Sequence, residues 1–173
     1  EDYRSGGASA SVFAQRLNVF SGALDPNWPA NGAPVCNLPS HAEHVRIAGT
    51  ADGAFVSWLD YRGYDPATRQ GRAVYMQYIL GANGSWPQGL GYNWQLNGIP
   101  VSANPGLDQE HPELARDWIW RTDAGLDIKA GAVVTYQNLV YRAGQPIWQV
   151  MANNMDADGT RRYNGVDVAL AVE

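Results

Sequence analysis

Short apolar runs broken by turn residues set the pattern of this chain. Phe55-Val56-Ser57-Trp58 and Val133-Val134-Thr135-Tyr136 are β-branched and aromatic, and each follows a turn signal, Asp52-Gly53 or Ala130-Gly131. Val74 to Ile79 alternates Val, Met and Tyr with Tyr, Gln and Ile, which predicts a strand covered on both faces. His44-Val45-Arg46-Ile47-Ala48 alternates polar and apolar, as a half-buried strand does, and His111-Pro112-Glu113-Leu114-Ala115 takes the same place further on. A short further strand is expected near Ile99-Pro100-Val101. Prolines and glycines interrupt nearly every window that could hold a helix. The best such window, Glu110 to Ile119, contains Pro112, which confines a helix there to a turn or two.

The runs repeat. Asp2-Tyr3-Arg4 is followed by Val12-Phe13-Ala14-Gln15-Arg16-Leu17, then Gly22, Trp28 and Asn31-Gly32-Ala33-Pro34-Val35. Asp60-Tyr61-Arg62 is followed by Val74-Tyr75-Met76-Gln77-Tyr78-Ile79, then Gly84, Trp94 and Asn97-Gly98-Ile99-Pro100-Val101. A weaker copy runs from Gly131 through Val150-Met151-Ala152-Asn153 and Gly159 to Asn164-Gly165, without the Asp-Tyr-Arg triplet. Order and residue type agree while spacing drifts, which places insertions in loops. The expected organisation is one all-β repeat domain over 1–173, with approximate units 1–36, 37–102 and 103–173 and an insertion near 103–129. Asn-Gly supplies positive φ for tight turns. Each recurrent residue (Asp2, Tyr3, Arg4, Gln15, Trp58, Asp60, Tyr61, Arg62, Gln77) therefore has a scaffolding role. Trp58 and its counterpart Tyr136 are expected to fill space between sheets. Asp60 and Arg62 are expected to pair with each other or to bind loop amides.

Composition narrows the function. The 173 residues carry a net charge of −5, and Lys129 is the only lysine, so no basic cluster exists to track a phosphate backbone. Nucleic acid is not expected as a partner. No apolar run approaches the roughly 18 residues of a membrane helix, so no membrane span is expected. Cys36 is the only cysteine, which rules out an intrachain disulfide. The chain opens directly on Glu-Asp-Tyr-Arg without methionine or signal segment, as a trimmed or processed fragment would.

The units resemble the propeller-like repeats of bacterial secreted and cell-surface proteins. There a strand ends in Trp-x-Asp-Tyr-Arg, a strand like Ile-Tyr-Ala-Gln-Arg-Ile follows, and Trp-x-x-Asn-Gly-x-Pro-Val closes the unit. Trp58 to Arg62, Val12 to Leu17 and Asn97 to Val101 carry the likeness, which covers most of the chain outside 103–129. The resemblance implies an all-β, propeller-type repeat of antiparallel blades, partial or fragmentary, with an open β-sandwich as the alternative. Three units are too few for a ring, since propellers typically have about 4–8 blades, and the period exceeds the roughly 40–50 residues usual for a blade. The resemblance also implies an extracellular, cell-surface or periplasmic location in a bacterium.

Site candidates are few. Trp86, Trp94, Trp118 and Trp120 lie in or near loops rich in Gly, Asn and Pro, which can present flat apolar faces to a sugar or a protein. Ligand binding is assigned to Trp86, Trp118 and Trp120, against the alternative that such residues cap a core. Asn154, Asp156 and Asp158 followed by Gly159 match the front half of a calcium loop, but Gly165 stands where the bidentate Glu belongs. An ordinary hairpin explains the same stretch. Cys36, His41 and His44 are zinc-ligand types, but no fourth ligand lies nearby and the histidine spacing suits a helix rather than a loop entering a strand. Asp60, Tyr61 and Arg62 raise a sialidase-like hydrolase fragment as a further alternative, yet a triplet present twice reads as scaffold rather than catalytic centre. The expectation is a non-catalytic structural or recognition module working through protein–protein contacts, with no cofactor beyond the calcium candidate. A carbohydrate-binding module is the alternative. Its partners are other subunits or the rest of a longer chain, or a glycan.

Overall fold

The computed structural model describes residues 2–3, 9–103, 108–117, 131–162 and 168–170. Among them every regular element is a strand and none is a helix, so the all-β class holds. None forms a helix long and apolar enough to cross a membrane. The strands are β1 (Val12–Ala14), β2 (Ala33–Cys36), β3 (Ala42–Gly49), β4 (Gly53–Asp60), β5 (Ala73–Leu80), β6 (Ile99–Pro100), β7 (Gln109–Asp117), β8 (Gly131–Arg142), β9 (Gln145–Asp156) and β10 (Val168–Leu170). They form three antiparallel sheets: the pair β1-β2, the meander β3-β4-β5-β6 and the meander β7-β8-β9-β10. The sheets do not close into a ring.

The two meanders share one register. Ala42 pairs with Asp60 and Arg46 with Ser57 in the first; Gln109 pairs with Asn138 and Glu113 with Thr135 in the second. Each first strand slips at one bulge, between Glu43 and Arg46 or between Glu110 and Glu113. Each bulge carries a histidine with positive φ, His44 at 53° and His111 at 51°. A bulge leaves its extra residue out of the ladder. That is how Pro112 is accommodated within β7 on the edge of its sheet, where it interrupts no full ladder. The Glu110 to Ile119 window is accordingly strand over Gln109–Asp117, not a helical turn. Its polar–apolar alternation outweighs its helix formers because β8 offers a partner edge.

The pair β1-β2 repeats the last two strands of a meander. Phe13 faces Pro34 and Ala14 faces Ala33, as Tyr75 faces Pro100 and Met76 faces Ile99. The Asp2–Ser11 bridge matches the Asp60–Ala73 pair. Successive sheets are joined in the same way each time. The amide of Ala42 donates to the Ala10 carbonyl at 3.0 Å, and that of Gln109 donates to the Arg72 carbonyl at 3.0 Å.

Two apolar cores follow from this stacking. Alternation sends Val56 and Trp58 of β4 to one side, where they meet Val12, Trp28, Ala33 and Val35. It sends Phe55 and Leu59 to the other, where they meet Ala132, Val134 and Tyr136 of β8 with Met151 and Met155 of β9. The middle meander is therefore covered on both faces.

Candidate interaction surface

The recurrent polar residues are spent on holding turns and junctions. Asp60, fully buried, accepts from Arg62 Nε at 2.9 Å, Arg62 Nη2 at 2.8 Å, the Arg62 amide at 2.8 Å and Trp58 Nε1 at 2.8 Å. Arg62 Nη2 also donates to the Asn97 carbonyl at 2.8 Å, and its guanidinium lies 3.8 Å over the Tyr75 ring. One ion pair thus ties the end of β4 to the Asn97-Gly98 turn before β6. Gly98 needs its positive φ of 78°, and a Cβ there would stand 2.5 Å from Trp58 Cη2 and 2.8 Å from the Met76 carbonyl. Gln15 Nε2 donates to the Pro29 carbonyl at 3.0 Å, and Gln77 Nε2 donates to the Gln95 carbonyl at 2.7 Å, each on the residue after a repeat tryptophan. Asp2 lies at its bridge and the half-exposed Tyr3 stacks obliquely toward His41 with ring centroids 6.3 Å apart. Arg4 lies outside the described residues.

A second polar cluster sits where the meanders meet. Tyr61 donates its hydroxyl to Glu43, and His41 Nε2 lies 3.3 Å from the same carboxyl. Burial pushes the Tyr61 phenol up to about 12, and the Glu43 carboxylate adds to the shift. Burial alone would raise Glu43, but the Tyr61 and His41 contacts prevail and hold its carboxyl below the ordinary range. Arg72 bonds both Asp108 and Glu110 across the junction. These contacts bond one another, and their chemistry is adhesive.

The candidate metal ligands are scattered among such contacts. Cys36 is buried, and its Sγ lies 3.8 Å from Asp60 Oδ2; burial raises its thiol. His41 Nδ1 accepts from the Ala10 amide at 3.2 Å, while His44 stands on the β3 bulge with its ring 6.0 Å from that of His111. On β9, Asn154 Nδ2 donates to Asp117 Oδ2 at 2.5 Å, and Asp156 is bonded by the Arg162 guanidinium. Asp158 Oδ1 accepts the Thr160 amide at 2.8 Å, capping its own turn. An arginine thus stands beside Asp156 on the calcium candidate. No group of three or more His, Cys, Asp or Glu among the described residues is placed to hold a metal ion.

The loop tryptophans divide. Trp86 is half-buried and packs on the core between the meanders. Trp94 is buried in that core, and its indole donates to the Ala157 carbonyl at 2.7 Å. Trp28 does the same one sheet earlier, donating to the Gly81 carbonyl at 2.9 Å. Trp118 and Trp120 lie outside the described residues.

The most prominent uncovered apolar surface on a strand element was not singled out in the sequence. The β8–β9 ladder continues past Asn138–Gln149 through Leu139–Trp148, Val140–Ile147 and Tyr141–Pro146, to a turn at Ala143 and Gly144, both with positive φ. Directly opposed residues share a face, and residues two apart along a strand share it too. Leu139, Tyr141, Pro146 and Trp148 therefore form one apolar face of a projecting hairpin, with Val140 and Ile147 on the other. Tyr141, Pro146, Ile147 and Trp148 are exposed. Only Gln70, donating to the Tyr141 hydroxyl at 2.8 Å, ties this arm back to the first meander through a side-chain hydrogen bond among the described residues. The signal was present as alternation around Ala143-Gly144, a turn dipeptide weaker than Asn-Gly. No family model, curated protein or solved structure matches the chain.

Proposed function

We propose that the chain is a non-catalytic recognition module of a secreted or cell-surface assembly, working through protein–protein contacts. The observation that carries this reading is the projecting hairpin, whose Leu139, Tyr141, Pro146 and Trp148 share one face at the end of a rigid ladder. Exposed aromatics on a pre-ordered element make strong association anchors, because little side-chain entropy is lost on docking. Asp60, Arg62, Gln15, Gln77, Trp28, Trp58 and Trp94 support the same reading, since each is bonded within the scaffold. In this reading the meanders are successive blades of a propeller-type arrangement that is incomplete within these residues. The identical registers and repeated junction bonds favour that over an open sandwich.

The test is photo-crosslinking in the source cell's own envelope or secreted fraction. A photoreactive residue replaces Trp148, and a second variant carries it at exposed Gln88 as control. Discrete protein adducts at 148 but not at 88 are expected. Adducts to glycan alone would favour sugar recognition, and no adduct at 148 would remove the reading.

A further inference from the structure

The turns that follow β1, β5 and β9 are built alike. The Asn18 amide donates to the Ala23 carbonyl at 2.8 Å, and the Gly22 amide donates to the Asn18 carbonyl at 2.8 Å. Leu80, Ser85 and Gly84 repeat these bonds at 2.7 and 2.9 Å. Asp156, Thr160 and Gly159 repeat a shorter version, both bonds at 2.9 Å. Gly22, Gly84 and Gly159 hold positive φ of 68°, 73° and 83°. The tips differ. Two carry small or polar side chains, Ala82-Asn83 and Ala157-Asp158, whereas the first carries Val19 and Phe20, 87% and 96% exposed. The same turn forms with small residues in the other units, so the scaffold does not call for Val19 and Phe20. Leu17 and Leu24, bridged beneath them, are also exposed. This finger satisfies much of its own backbone. Asn18 Oδ1 accepts the Phe20 amide at 2.9 Å and the Ser21 amide at 3.0 Å, and Ser21 Oγ accepts the Ala23 amide at 3.3 Å. The amides of Asn18, Phe20, Ser21, Gly22 and Ala23 are thus all bonded within it. No residue from Leu17 to Leu24 is charged, and the charges at its base, Arg16 and Asp25, pair with each other at 3.4 Å.

We propose that this finger, residues 17–24, docks on the face of a lipid bilayer, with Val19 and Phe20 seated at the boundary between head groups and acyl chains. Water satisfies the amides of an ordinary exposed loop. Hydrocarbon cannot, so a segment entering it must bond its donors internally. The internal bonds therefore favour lipid over a protein surface, which can supply acceptors of its own. The shape points the same way. Two side chains that stand clear of their neighbours suit a deformable phase, whereas a stable protein interface needs a broad complementary patch. Charge narrows the lipid. The chain carries a net −5 and Lys129 as its only lysine, so nothing draws it to an anionic surface, and a zwitterionic one fits it. One finger gives reversible attachment, as a single acyl chain does. This contact is peripheral, and it is independent of the projecting hairpin, which lies on another sheet.

The probe is a phosphatidylcholine vesicle, sedimented with the full chain over a range of lipid concentrations. The bound fraction should rise with lipid, alike in low and high salt, and should not increase when phosphatidylserine is mixed in. Phe20→Asp should lower the partition coefficient on the order of ten- to a hundredfold, the effect of withdrawing one phenylalanine from an apolar phase. Phe20→Trp should keep the binding, and brominated acyl chains should quench the fluorescence it adds. Phe20 is exposed, so both variants are expected to keep the fold, and circular dichroism checks it; the lipid and salt series on the unaltered chain does not depend on that result. Failure of the unaltered chain to partition into vesicles would overturn the proposal, as would binding that needs phosphatidylserine or equal partition of Phe20→Asp. Loss of binding in Trp148→Asp would overturn it by moving the contact to the hairpin. Protein adducts from a photoreactive residue in place of Phe20, without vesicle binding, would overturn it by making the finger a protein contact.

Discussion

Asp60 shows how a repeated residue can be indispensable without being catalytic. Its carboxylate is wholly removed from water and takes donors from Arg62 and Trp58. Removing the arginine would leave a buried carboxylate short of its countercharge, which typically costs about 3–5 kcal/mol. Arg62→Ala should lower the urea midpoint by a corresponding amount, and Arg62→Lys by less, because lysine keeps the charge but not the fork. A midpoint unchanged by Arg62→Ala would mean the pair contributes nothing. The pairing of Asp60 with Arg62 could be read from their alternate spacing at a strand end. The indole of Trp58 on the same carboxylate could not, because a tryptophan in an apolar run reads only as bulk. Tyr61, between them in sequence, carries a pH dependence. Its phenol moves from an ordinary 10.0 to about 12 in the folded chain. The unfolded chain then loses this proton at lower pH than the native one. Stability from Tyr61 is complete below about pH 10 and is lost as pH rises toward 12. Chemical denaturation at stepped alkaline pH should show that decline, and Tyr61→Phe should flatten it. An unchanged slope would mean that another group governs it.

At the scale of elements, the central strands β3, β4, β5 and β8 were legible because each has a periodic pattern or an apolar run bounded by turn residues, whereas β10 was not singled out. The junctions between sheets were not legible, because they depend on carbonyls that any sequence possesses. Trp28 and Trp94 could be matched as repeat members, but their targets, Gly81 and Ala157, lie in turns just past β5 and β9 of the following sheet. These two caps differ in one respect that can be measured. The Gly81 carbonyl also receives Arg16 Nη1, whereas the Ala157 carbonyl receives only Trp94 among the described side-chain donors. Replacing each tryptophan by phenylalanine removes similar ring surface. Trp94→Phe should therefore cost about 1 kcal/mol more than Trp28→Phe, the usual worth of a buried hydrogen bond. Thermal unfolding of both variants checks this, and equal losses would show that packing alone sets the cost. The arm of β8 and β9 escaped notice for a related reason. Leu139 to Trp148 has strand character on both sides of its turn, but nothing in a repeat alignment says that two strands run on beyond their sheet.

The described sheets follow one another in chain order with an apolar core at each junction, and stability should vary along that series. In stacked repeats each unit is held by its neighbours, so interior units exceed terminal ones. β4 is the extreme case: it is paired to β3 and β5 at its edges and covered by a separate core on each face. Among the described residues β1 has one partner strand, β2. The repeat order could be read from the chain, but not this asymmetry. A copied pattern specifies what touches within and between units, while the exposure of Ile47, against the half-buried Leu114 at the same place, depends on what lies beside the first unit. Native-state hydrogen exchange should accordingly find the amides of Val56 to Leu59 opening only with global unfolding. The amides of the short pair β1-β2 should exchange at lower free energy. Equal protection of β1 and β4 would mean that the sheets unfold as one unit.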